Sequence, residues 1–167
     1  MVDAQFQQFA MPSDSRRLAS RQRPAYREMM SSLQDGKDPI TGTRLNSPCI
    51  DHDHDTGTCR LVLNRSTNTF EGKVRAFLIQ QGWKPQQFAQ PLFDAWLGRN
   101  DAVTTQLYEF ALEIWPYLSW ERFLTYLRNL AVYYGTAWAY YDHLLYEKPS
   151  KTCLLYTSPS PRDGLLS

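Results

Sequence analysis

Five consecutive residues hold two of the chain's three histidines and three carboxylates: Asp51, His52, Asp53, His54 and Asp55, followed by Thr56 and Gly57. An imidazole, with an ordinary pKa of about 6.5, takes and returns protons at neutral pH. A carboxylate holds a hard cation or orients a neighbouring base. The segment therefore offers proton transfer beside an oxygen-ligated metal. Period two along a strand sends Asp51, Asp53 and Asp55 to one face and His52 and His54 to the other. A straight strand cannot bring Asp51 and His52 to one ion from the same side, so such a site must form where the strand bends. A calcium loop is the first alternative, but Thr56 and Val62 stand where it needs Gly and Glu. Taken singly, each residue also has a plain role: solvated turn acids, surface histidines, or Asn68 as a helix cap.

The elements that must position these groups follow from turn residues and periodicity. Pro24 suits a first helical position, Tyr26, Met29, Met30 and Leu33 share a helical face, and Gly36 marks its end. Turn residues at Asp38-Pro39, Thr41-Gly42 and Thr56-Gly57 bracket short apolar runs, which predicts a β-hairpin within residues 37–66. From Asn68 the spacing becomes helical, with Phe70, Val74, Phe77 and Leu78 on one face up to Gln81-Gly82. Beyond Trp83 the pattern is helical and aromatic. Pro85 opens a short piece that Pro91 interrupts, Asn100 or Asp101 caps one helix, Pro116 ends it, Ser119 caps the next, and Gly135 precedes a last segment. Residues 108–146 hold 13 of the 23 aromatics, either as a self-contained core or as a surface covered by a second subunit. His143, alone among those helices, reads as structural.

The 167 residues suffice for one compact domain, or a small domain with a helical extension, but not for two full-sized catalytic domains. With 43% apolar and 21% charged residues the chain is globular in composition, which excludes wholesale disorder. The net charge of +1 conceals polarity: residues 16–75 carry 11 Lys+Arg against 7 Asp+Glu, and the remainder 7 against 10. Arg16, Arg17, Arg21, Arg23 and Arg27 occur with no acid among them, as a phosphate track or as a solvated arm. No apolar run is long enough to span a membrane and the first residues do not read as a secretory signal, so a cytoplasmic protein is expected. Cys49, Cys59 and Cys153 form no C-x-x-C pair and read as reduced thiols, although Cys49 and Cys59 could face each other across a hairpin.

The order of elements and residues resembles the phage recombination endonuclease VII family, of the His-Me finger or ββα-metal nucleases. Ile50-Asp51-His52-Asp53-His54 with Thr56, Gly57 and Arg60, then Leu63, then Asn68 with Glu71-Gly72 carry the likeness, over about residues 24–80. The fold implied is α+β and mostly helical, with a small hairpin-helix nuclease core and a C-terminal helical region. The resemblance implies that Asp51 and Asn68 hold Mg²⁺ or Mn²⁺ and that His52 is the general base. His54 and Glu71 would be supporting catalytic residues. Arg60, Arg65, Lys73 and Arg75 would bind DNA phosphates, with the track of Arg16, Arg17, Arg21, Arg23 and Arg27 extending them. DNA, branched or duplex, is the expected partner, together with a second copy of the chain in a homodimer.

One departure stands out. The family builds on a zinc held by two C-x-x-C pairs, and the corresponding places here run from Asp38 to Thr41 and from Asn64 to Thr67. No structural zinc is therefore expected, and side-chain hydrogen bonds from Asp38, Thr41, Asn64 and Thr67 must hold the loop instead. The organisation expected is a basic flexible arm over 1–20, a nuclease core over 21–82 and an aromatic-rich helical region over 83–151. Residues 152–167 resemble a translated sequencing adapter and are set aside. Alternative functions are a nicking or homing-type endonuclease of the same fold and a DNA-binding or virion-assembly protein without turnover.

Overall fold

The computed structural model describes residues 18, 20–54, 57 and 59–146, with backbone alone over 136–146. Arg16, Arg17, Asp55, Thr56, Cys153 and the adapter-like segment lie outside the described residues, and His143 is described by its backbone only. The fold is α+β and mostly helical. In chain order the elements are α1 (Arg23–Leu33), β1 (Pro48–His52), β2 (Cys59–Asn64), α2 (Arg65–Gln80), α3 (Ala89–Trp96), α4 (Asp101–Ile114) and α5 (Trp120–Tyr146), with 3₁₀ turns at Ser20–Gln22 and Pro85–Gln87. Among the described residues no helix is long and apolar enough to cross a membrane. They fall into two compact units, one taking in 20–38, Gly42–Asn64 and 136–146, the other Pro39–Thr41 and Arg65–Gly135.

In the first unit α1 packs on an antiparallel β1-β2 pair. Tyr26, Met29 and Met30 form the buried face of α1, as their spacing predicts, whereas Leu33 is 43% exposed. The helix ends where Asp35 and Gly36 take positive φ. Polar contacts complete the seam. Tyr26 Oη donates to the Arg60 carbonyl at 2.8 Å. The Gln34 side-chain amide accepts from Val62 N and donates to Val62 O, both at 2.8 Å, so it pairs with β2 as a neighbouring strand would. Every residue of β2 is buried, which explains its continuous apolar run. The register opposes Cys49 to Leu63 and His52 to Cys59, so the two thiols are not cross-strand neighbours, and neither is in a disulfide.

In the second unit α2 begins at Arg65, directly after β2 and three residues before the start predicted at Asn68. Thr67, Phe70, Val74 and Leu78 bury its apolar side, and Phe70 and Phe77 meet Trp115 and Phe110 edge to face, at 5.5 and 5.8 Å. Pro91 does not interrupt a helix but sits buried in the first turn of α3, where a backbone N–H has no intrahelical acceptor to lose. Asn100 caps α4 by accepting from Val103 N, and Ser119 Oγ accepts from Arg122 N at the start of α5. Gly135 does not divide two segments: α5 runs through it. A Cβ there would lie 3.4 Å from Ala89 Cβ, so the helix passes close to α3. The described aromatics contact one another, through Tyr108, Trp115, Trp120, Phe123 and Tyr126. Tyr117 is fully exposed and Trp120 is 44% exposed.

Candidate functional site

The strand pairing breaks where the chemistry is concentrated. Ile50 pairs with Val62 and His52 with Cys59, so Asp51 alone on β1 faces two residues, Arg60 and Leu61, on β2. Such a bulge bends the bulged strand and re-aims its side chains. Its consequence here is an ion pair: Arg60 Nε lies 2.8 Å from Asp51 Oδ2 and Arg60 Nη2 donates to Oδ1 at 3.1 Å, both side chains being buried. Arg60 Nη2 also reaches the His52 carbonyl at 3.3 Å. Arg60 is thus no surface phosphate contact but the counter-ion of Asp51.

The period-two expectation holds through the bend. Asp51 and Asp53 are buried, while His52 and His54 are exposed and stack on each other, ring centroids 4.9 Å apart and planes inclined by 18°. The turn closes when Gly57 N donates to the Asp53 carbonyl at 2.7 Å, with Gly57 at φ 74°. An imidazole on the solvent side can exchange protons with water, and an acid on the inner side keeps a fixed place.

On α2, Asn68 is half-buried and Glu71 is almost completely buried, accepting from Tyr134 Oη at 2.6 Å. Lys73 is half-exposed and paired with Glu113 at 2.7 Å. Arg65 is exposed, and Arg75 is half-buried with its Nε enclosed and without a hydrogen-bond partner. In the first unit Arg21 and Arg23 are exposed and Arg27 is half-buried. The cations expected to meet phosphate therefore divide into accessible ones, partly covered ones and the buried Arg60.

The places where the resemblance puts zinc cysteines serve the backbone. Asp38 Oδ2 accepts from Asn64 N at 2.8 Å. Asn64 Oδ1 accepts from Asn46 N and Ser47 N at 2.9 and 3.1 Å, and its Nδ2 donates to the Arg44 carbonyl at 2.9 Å and to Thr43 Oγ1 at 3.4 Å. Both side chains are buried. Thr67 does not join in this way: its Oγ1 is buried without a partner. An amide and a hydroxyl carry no thiolate, so this set does not fit a structural zinc.

For the cation that the resemblance implies, Asp51 and Asn68 supply donors of a fitting type. A carboxylate and a carboxamide oxygen suit a hard divalent ion. Among the described residues no group of three or more His, Cys, Asp or Glu side chains converges as a metal cluster. Sequence reasoning missed the Asp51–Arg60 pair and Tyr134. The first was detectable as opposite charges on facing strands, whereas the second carried no local signal among so many aromatics. Comparisons with protein-family models, curated proteins and solved structures find no match.

Proposed function

We propose that this chain is a metal-dependent DNA endonuclease that hydrolyses phosphodiester bonds on a ββα-metal core, acting on branched DNA as a cytoplasmic homodimer. The observation that carries this reading is a buried acid, Asp51, next to an exposed base, His52, at a bulge between β1 and β2. Cutting both strands of a junction symmetrically requires two sites, hence two copies.

In this reading His52 removes the proton from the attacking water, which its exposure allows. His54 fixes the plane of the His52 ring by stacking, and Arg60 fixes the Asp51 carboxylate. Asp51 and Asn68 are the residues that would hold Mg²⁺ or Mn²⁺. When bound, the ion supplies Lewis-acid stabilisation to the phosphate and to the leaving 3′-oxygen. Arg65, Lys73 and Arg75, with Arg21, Arg23 and Arg27, contribute charge for the DNA backbone.

The Asp51–Arg60 pair also favours a second reading, a DNA-binding protein without turnover, because a guanidinium already neutralises the proposed ligand. One assay separates the two: nicking of supercoiled plasmid and of a four-way junction with Mg²⁺, by the parent chain and by His52→Ala. Cleavage lost in the variant supports the nuclease. Equal cleavage by both removes His52 from the mechanism, and binding without cleavage by the parent favours the second reading.

A further inference from the structure

Glu71 is 1% exposed, and a buried carboxylate is tolerated only when hydrogen-bonded. The Tyr134 hydroxyl donates to it at 2.6 Å. The Tyr134 ring is held independently of the acid. Phe88 meets it edge to face at 5.3 Å, Tyr133 lies 6.0 Å away, and the neighbouring Gly135 lets α5 pass close to Ala89. The hydroxyl is therefore placed by aromatic packing, in hydrogen-bond contact with the carboxylate. One turn earlier on α2, Thr67 is fully buried with its Oγ1 unpartnered.

We infer that Tyr134 is a positioning residue, holding the Glu71 carboxylate in one orientation for phosphodiester cleavage; this rests on the nuclease reading above. If the hydroxyl acts by positioning, its removal should affect cleavage through Glu71.

The test is a double-mutant cycle on the full chain, cleaving supercoiled plasmid with Mg²⁺, using Tyr134→Phe, Glu71→Gln and the pair, with thermal melting alongside. Tyr134→Phe should lower kcat about tenfold with KM unchanged. Glu71→Gln should lower it at least as far, and the double variant should fall no lower than Glu71→Gln. Additive losses, or an unchanged kcat in Tyr134→Phe, overturn the inference even if melting temperature drops. Should the phenylalanine variant fail to fold, site-specific 3-fluorotyrosine in place of Tyr134 keeps the ring and strengthens the donor. It should change kcat without changing melting, and an unchanged kcat there is equally fatal. An inert parent chain removes the nuclease reading and this inference with it, whereas an active parent with no Tyr134–Glu71 coupling removes only the role of Tyr134.

Discussion

Arg60 reaches across the hairpin bulge to Asp51 with Nε 2.8 Å from Oδ2 and Nη2 3.1 Å from Oδ1, and neither side chain is more than 6% exposed. Removing one member of a buried pair strands the other charge, at about 3–5 kcal/mol. Arg60→Met should therefore destabilise the chain by about 3 kcal/mol or more in urea unfolding. Arg60→Met with Asp51→Leu should recover most of that loss, because the stranded charge is gone. A single-variant loss below about 1 kcal/mol would show that the pair does not persist in solution.

The Asp38–Asn64 cluster holds its loop with hydrogen bonds, at the places where the resembled family would hold zinc. Asn64→Ala removes both acceptor and donor functions and should cost about 2–4 kcal/mol, while Asn64→Asp, which keeps the acceptor for Asn46 N and Ser47 N, should cost less. Thermal melting in strong chelator should match melting without it. Stoichiometric, chelator-sensitive zinc in the purified protein would contradict this expectation.

Accessibility sorts the cations into those open to solvent and the buried Arg60. Arg65→Ala should reduce the salt dependence of DNA binding by about one unit of slope. Glu113→Gln should tighten binding modestly by releasing Lys73 from its 2.7 Å partner. A charge-sparing change at buried Arg60 that leaves the fold intact, Arg60→Lys, should leave the slope unchanged. A slope lowered equally by the changes at Arg65 and Arg60 would contradict this division.

Gly135 lies within a continuous helix, where glycine costs about 1 kcal/mol relative to alanine. A methyl there would sit 3.4 Å from Ala89 Cβ, within ordinary contact. Gly135→Ala should therefore raise the melting temperature, and Gly135→Leu should lower it through overpacking. A lower melting temperature in the alanine variant would mean that α5 and α3 pass more closely than this geometry.

The helices α1, α4 and the start of α5 were legible from caps, spacing and proline, because capping and amphipathic periodicity are local. Pro91 and Gly135 misled for the same reason. Their penalties depend on the place within a helix and on the neighbour packed against it, which single residues do not encode. The start of α2 lies ahead of Asn68 because β2 passes into the helix without a turn, and Asn64 before it bonds Asn46, Ser47 and Arg44 through its side chain.

By itself the sequence determined the alternation of Asp51 and Asp53 against His52 and His54, since a strand's side-chain period is two whatever surrounds it. It also determined that no thiolate set stands between Asp38 and Thr67 beyond Cys49 and Cys59. Only the tertiary structure decided what the polar groups do. The bulge turned Arg60 from a surface cation into a buried counter-ion, and the packing of α5 brought Tyr134 onto Glu71, 63 positions away in the chain. Charge and hydrogen-bonding capacity belong to the residue, but whether they face water, phosphate or another side chain is set by long-range burial, which no local spacing records.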